Sequence, residues 1–422
     1  MGQHLFFLFL SFYKFFHLFT SLTLKQNLIH SLSLSLSLSL SLPSFFIFFF
    51  WCSSYLKKKK GIMGSKKPYF VAIATQVFLA GMSLLSKAAF ASGMNTFVFV
   101  FYRQAAGAVF FLPLLFFLRR KESRSLSLKD FLKIFVISLI GMTVGFNAYG
   151  VAVDYTSANL GAAAFNCLPV TTFLFAVLLR MEKVNLRKVA GIAKAFGILI
   201  CIGGVITLAF YKGPYLKPLI DHHLLKLHKS SHNIPHSSSS KTWIIGCFLL
   251  FVSSISWGLW FVLQAYFLKT YPSPLEFISY QTLLSAAQSF VIAIAMERDP
   301  SEWKLGWNIR LLAVVYCGVL VTVVSNFLQC WVIKEKGPVF QAMTTPLNVI
   351  ATIIGSELLL GEGINLGSLI GAILLVISLY SVLWGKSKEL NMVDSDSNIQ
   401  TNVFVSPQLP KDLSEMRPTA EP

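Results

Sequence analysis

The chain has 422 residues, of which 55% are hydrophobic and only 13% charged, and its formal net charge is +18. Soluble domains carry about 25% charged residues, so an ordinary globule with a wet surface is excluded, while the length suffices for about ten membrane-crossing helices of ~20 residues each. The Lys and Arg residues flank apolar runs instead of mixing with aromatics in a polar segment, which suits topology signals and anionic headgroups and argues against nucleic acid.

The first 62 residues stand apart. They include "SLSLSLSLSLSLP" at 31–43, whose strict alternation has the period of a strand in a chain that otherwise lacks one. Phe, Leu, Ser and Pro dominate the segment, and all four can be written in pyrimidine codons. We read 1–62 as a translated pyrimidine-rich leader, with Met63 as the working start; a targeting extension, and an extra apolar segment near 44–54 that is short for a span, are the alternatives.

From Tyr69 onward, apolar segments recur at 69–90, 96–118, 131–153, 158–179, 189–210, 243–268, 275–295, 311–333, 338–360 and 366–384. Lipid satisfies no backbone N–H or C=O, so such spans are helices or a closed barrel, and continuous apolar runs select helices. The fold class is therefore an all-α membrane protein of about ten transmembrane helices. Lys66, Lys67, Arg119, Arg120, Arg180, Lys188, Lys269, Lys334, Lys336, Lys386 and Lys388 fall on one side, which puts both termini in the cytoplasm by the positive-inside rule. Residues 211–242 form a polar His- and Ser-rich linker, read as a solvated loop in preference to a metal tract. Residues 387–422 read as a disordered cytoplasmic tail.

The linker divides ten spans into five and five, and the halves resemble each other. "FYRQAAGA" (101–108) precedes "SYQTLLSA" (279–286) by about 178 positions, "NCLPVTT" (166–172) precedes "MTTPLNV" (343–349), and "EKVNLRKVAG" (182–191) precedes "EGINLGSLIG" (362–371). Five is odd, so the second copy, 243–386, enters from the opposite face to the first, 63–210, and is inverted. Inverted repeats place a solute site near the midplane and support alternating access. Pro169 and Pro346 are repeat mates inside spans four and nine, where a proline frees carbonyls; they either unwind the helix beside a cavity or kink it for packing. Small-xxx-small patterns at Gly141/Gly145, Gly191/Ala195 and Gly367/Gly371 allow close helix approach, within the chain or in a homodimer through helices five and ten.

Ionisable groups inside spans are costly and are functional candidates. Lys87, Arg103 and Glu357 share a similar depth, as an ion-paired cluster or with Arg103 or Lys87 meeting a solute carboxylate; Lys87 is also close enough to the interface to snorkel. Lys194 is expected to snorkel to the interface. Among neutral groups, Gln104, Asn147, Asn166, Tyr280 and Gln281 are candidate cavity residues, and Trp257 and Trp260 candidate walls. No Asp lies deep in a span, which favours facilitated movement over proton coupling. The six scattered cysteines read as buried small residues, with no metal site and no cofactor expected. HExxH and an intramembrane Asp pair are absent from the sequence, so an embedded enzyme is disfavoured, as is a channel with acidic rings.

"MGSKKPYFVAIATQVFLAGMSLLSKAAFASGMNTFVFVFYRQ", "YTSANLGAAAFNCLPVTTF", "GPVFQAMTTPLNVIATIIGSELLLGE" and "GSLIGAILLVISLYSVLWGK" resemble the plant nodulin-like, Walls-Are-Thin-related branch of the drug/metabolite transporter superfamily, over residues 63 to about 388. The resemblance implies two EamA domains and ten helices. It also implies export or bidirectional movement of amino acids, auxin in some members, and residence in the plasma membrane or, in some, the vacuolar membrane. The family's "FYRQ" falls on Phe101 to Gln104, and its second-domain proline on Pro346. A nucleotide-sugar or drug carrier is the rival within the superfamily.

Overall fold

The structure is a computed structural model that describes residues 67–121, 127–156, 158–182, 187–211, 213–214, 240–271, 273–306, 308–360 and 366–404. Residues 1–62, read above as a leader, most of the linker 211–242 and the side chain of Glu357 lie outside the described residues. Those residues contain helices and turns and no strand.

In chain order, α1 is Lys67–Ala91 and α2 is Thr96–Lys121. α3 runs Leu128–Ser138, is π-helical over Leu139–Val144, and resumes over Gly145–Tyr155. α4 comes in two pieces, Ala158–Asn166 and Leu168–Leu178. α5 is Val189–Phe210, α6 Ser240–Thr270 and α7 Pro274–Met296. α8 runs Ile309–Val315, is π-helical over Tyr316–Ser325, and resumes over Asn326–Lys336. α9 is split into Pro338–Met343 and Pro346–Leu360, and α10 is Leu366–Phe404. Among the described residues eight helices are long and apolar enough to cross a membrane; the split helices α4 and α9 complete ten segments.

Local chemistry sets the turns. Gly93 at φ +83° ends α1 in the left-handed region, and the Met94 N–H closes back on the Ala89 carbonyl at 3.3 Å. Asn95 then starts α2, its Oδ1 accepting from the Phe97 N–H at 2.8 Å. α10 continues past residue 387, where an unstructured tail was expected, because neither Gly nor Pro occurs between Gly385 and Pro407 to stop it.

The helices pair with a two-fold pattern. α1 packs on α8 and α9, and its counterpart α6 packs on α3 and α4, while α2 lies on α7 and α5 on α10. Both self-paired crossings are antiparallel. Along α2, Phe101 stacks near Phe290 with centroids 5.1 Å apart, Gln104 bonds Ser285 at 3.0 Å, and a Cβ on Gly107 would lie 3.2 Å from the Thr282 methyl. Along α5, a Cβ on Gly197 would lie 2.5 Å from Val382 and one on Gly204 3.1 Å from Leu375, while one on Gly371 of α10 would lie 2.6 Å from Leu208. Corresponding helices that run antiparallel across a shared contact are what two inverted five-helix repeats require. The small residues of α5 and α10 are occupied by this contact inside the chain, which leaves Phe196, Leu199, Ile373 and Tyr380 exposed on the outer face.

Inversion brings α1–α2, α7–α8 and their neighbours to one end of the bundle, and both termini of the described bundle to the other. At the terminal end, Lys194 is 2% exposed and does not snorkel. It bonds Glu182 at 3.3 Å and also Glu389, and Lys386 bonds Glu182. Desolvation makes an unpaired buried ammonium expensive, so the carboxylates from the α4–α5 turn and α10 hold it in place. At the opposite end, Asn95 donates to Glu297 at 2.7 Å and the Tyr102 hydroxyl to the Trp303 carbonyl at 2.6 Å, again between the two halves.

Candidate solute site

The two split helices break next to the predicted prolines. Pro169 lies at the second position of the second half of α4 and Pro346 at the first position of the second half of α9. Proline is tolerated there because that N–H has no intrahelical partner. Each break is tied down by the opposite repeat. Ser254 of α6 donates to the Ala164 carbonyl at 2.8 Å, and Thr171 returns a bond to the Ser254 carbonyl at 3.1 Å. Gln76 of α1 donates to the Thr344 hydroxyl at 2.8 Å, and Gln341 to Thr75 at 3.3 Å.

Beside the α4 break lies a small, nearly closed cleft of about 30 Å³. Phe146, Phe165, Trp257, Trp260 and Phe261 make its aromatic walls; Leu79, Met82 and Val321 add aliphatic surface. The polar lining is Arg103, Asn326 and Gln329. A π-helical stretch borders it: Val321 belongs to the one in α8, and Phe146 lies two residues past the one in α3. Such stretches expose backbone groups and occur often at functional sites.

Arg103 is 4% exposed. Its guanidinium carbon sits 3.9 Å from the centroid of the Phe146 ring, and one terminal nitrogen is 3.5 Å from the Met82 sulfur. Its Nε has no hydrogen-bond partner. No carboxylate among the described residues pairs with it. A cation–π contact and a thioether compensate only a fraction of the cost of burying this charge, which leaves the guanidinium without an anionic partner among the described residues. The Trp257 and Trp260 indole N–H groups are likewise buried and unpartnered, and both side chains line the cleft. Among the described residues, no acidic side chain lines it.

The remaining predicted residues are distributed differently. Gln104 points to α7, donating to Ser285, which also contacts Thr143 of α3 at 3.3 Å. Asn147 donates to its own helix at the Thr143 carbonyl, 2.8 Å away. Asn166 is buried at the end of the first half of α4, where its carbonyl accepts from Cys201 at 3.9 Å. Tyr280 is half-buried against the core. Gln281 is fully buried, with both amide atoms unpartnered and its carbonyl taken by Ser138 at 2.8 Å. None of these five lines the cleft. Lys87 is exposed on α1, away from it. Gln329 was not singled out from the sequence; a lone amide in an apolar run carries no mark of which way it faces.

The chain matches the model of the EamA-like transporter family twice, over residues 66–209 and 244–384. It is 52% identical over 330 residues to the WAT1-related protein At5g64700 of Arabidopsis thaliana, covering 78% of this chain and 92% of that one. It is 42% identical to the WAT1-related protein At1g43650 of the same plant, covering 78% and 94%. A solved crystal structure that is 16% identical superposes with a TM-score of 0.53 over 78% of this chain and the whole of the other, a likeness of fold alone. Two matched units, each spanning one five-helix repeat, and relatives covered almost end to end place this chain in the EamA-like transporter family, among its WAT1-related members.

Proposed function

We propose that this transporter carries a small organic solute bearing a carboxylate, an amino acid in the first instance, by alternating access between its two inverted repeats. The observation that carries this reading is Arg103, buried at the cleft with no carboxylate partner among the described residues. A guanidinium presents a planar fork that matches a carboxylate, and the aromatic walls take up an apolar body. Ties between the halves at both ends of the bundle, Asn95 to Glu297 and Lys386 to Glu182, are the contacts that a rocking motion opens and closes in turn.

One feature favours a second reading, an organic acid such as auxin. Among the described residues no acidic side chain lines the cleft to hold an amino acid's ammonium, which leaves aromatic faces and the amide oxygens of Asn326 and Gln329 for it. Movement is facilitated and bidirectional in either reading. Both termini lie in the cytoplasm, since the terminal end of the bundle carries Lys67, Lys188, Lys334 and Lys386, and the membrane is the plasma membrane or the vacuolar one.

The test is uptake and efflux of radiolabelled amino acids and auxin in oocytes, with surface protein measured in parallel. Amino-acid flux that survives a protonophore at zero membrane potential and falls in Arg103→Ala supports the reading. Flux untouched by Arg103→Ala at equal surface level removes it.

A further inference from the structure

The cleft's width is set by a contact between the repeats. Gly141 and Gly145 lie in and just after the π-helical stretch of α3. A Cβ built on Gly141 would fall 2.0 Å from Trp260 Cγ and 2.5 Å from Trp260 Cβ; one on Gly145 would fall 2.7 Å from Trp257 Nε1. The atoms met at position 141 are the root of the indole, which cannot rotate away without moving the whole ring. Both tryptophans are therefore sunk into α3 at the two positions that lack side chains. Trp257 is further hemmed by Phe146, Tyr149 and Phe165, with centroids 5.7, 5.2 and 5.1 Å away.

Two observations tie this packing to the solute. Trp257 and Trp260 are 3% and 4% exposed, and their N–H groups stay unpartnered while both side chains line the cleft. A buried indole that serves only packing normally finds an acceptor for its N–H. At the repeat offset of about 178, their counterparts on α1 are Leu79 and Met82, which line the same cleft without any polar hydrogen. The donor wall thus belongs to one repeat, and its depth is fixed by glycines of the other.

We infer that Gly141 and Gly145 are positioning residues that set the size of solute the transporter accepts, by holding Trp260 and Trp257 back from the cleft beside Arg103, with the Trp257 indole nitrogen packed on Gly145 and the Trp260 N–H left for the solute. This rests on the carboxylate-carrier reading above. A side chain at 141 pushes the Trp260 ring forward and narrows the cleft. Shortening Trp260 widens it. Combining the two changes offsets them.

The experiment measures initial uptake of radiolabelled alanine, phenylalanine and indole-3-acetate in oocytes for the wild type, Gly141→Ala, Trp260→Gly and the double variant, normalised to surface protein. The readout is the ratio of bulky to small solute, which expression level does not move. Trp260→Gly removes the Trp260 atoms that a side chain at 141 would meet and raises that ratio by threefold or more, Gly141→Ala lowers it by a similar factor, and the double variant does not show the fall seen in Gly141→Ala. If Gly141→Ala fails to reach the surface, rescue of surface level by Trp260→Gly in the double variant supports the inference, and absence of rescue counts against it. A wild type that moves bulky and small solutes while Trp260→Gly leaves their ratio unchanged overturns the inference alone. A wild type that moves none of the three overturns the carboxylate reading beneath it.

Discussion

Gln104 of α2 donates its amide to the hydroxyl of Ser285 on α7 at 3.0 Å, across the point where two corresponding helices of the repeats cross. Ser285 also meets Thr143 at the π-helical stretch of α3, and Thr143 bonds Gln288 at 2.7 Å. This short chain of hydroxyls and amides joins three helices from two repeats in an otherwise apolar interior. Its bonds hold the crossing in register where apolar packing alone allows sliding.

Gln104→Leu should therefore loosen the crossing without touching the cleft. A single interhelical hydrogen bond in a membrane protein contributes about 1 kcal/mol, and Ser285 keeps Thr143 as a partner. Thermal unfolding in detergent should show a loss of about 1 kcal/mol, and the apparent affinity for the solute should stay within twofold of wild type. An affinity loss of tenfold or more would place Gln104 at the solute instead.

Arg103 separates charge from geometry. Arg103→Ala removes both and should cut transport by more than tenfold, consistent with loss of a charge-assisted contact of about 1.5–3 kcal/mol. Arg103→Lys keeps the charge but loses the planar fork, and should retain an intermediate rate with a raised KM. Equal activity of Lys and Ala variants in flux assays at matched surface level would mean that charge plays no part.

The features legible in the sequence are those that leave a chemical mark in an apolar run. A charge at Arg103 and prolines at 169 and 346 are costly in lipid, and the structure puts the first at the cleft and the others at helix breaks. The breaks resolve the choice that the prolines leave open, between an unwound helix and a packing kink, in favour of an interruption in α4 and in α9. Facing was not legible. Lipid and protein interior are both apolar, so these helices lack the stripe that orients a helix in a soluble protein, and Gln104, Asn147 and Gln281 gave no sign of turning from the cleft. The burial of Lys194 is not legible for a different reason: Glu389, one of its partners, lies 195 positions away in the chain.

The Glu182 cluster predicts a pH dependence. Burial alone would raise the Glu182 carboxyl, but Lys386 and Lys194 outweigh it and hold the group below its ordinary value of 4.5. A depressed folded pKa contributes stability that is fully present above the unfolded value and is lost as pH falls through the folded one. Thermal stability in detergent should thus be level above about pH 5 in this respect and decline below about pH 4. Glu182→Gln should lower stability at pH 7 by about 2–3 kcal/mol, short of the 3–5 for a fully stripped buried pair because Lys194 keeps Glu389. It should also flatten the acid decline. An acid decline of unchanged steepness in Glu182→Gln would show that other carboxylates govern it.

The α5–α10 contact decides between folding within the chain and pairing between chains. A Cβ at Gly371 would already lie 2.6 Å from Leu208 and 3.2 Å from the Gly204 carbonyl, so Gly371→Val has nowhere to place its methyls without prising the two helices apart. Overpacking of this kind costs about 1–3 kcal/mol. Because the contact lies inside one chain, the cost should appear as a lowered Tm, while the oligomeric state seen by size-exclusion with light scattering stays as in the wild type. The exposed outer face of the same helices, at Phe196 and Tyr380, is where a second copy would dock, and Phe196→Ala should leave the Tm nearly unchanged. A dimer that dissociates in Gly371→Val while the monomer keeps its Tm would move this contact from the interior of the chain to an interface between chains.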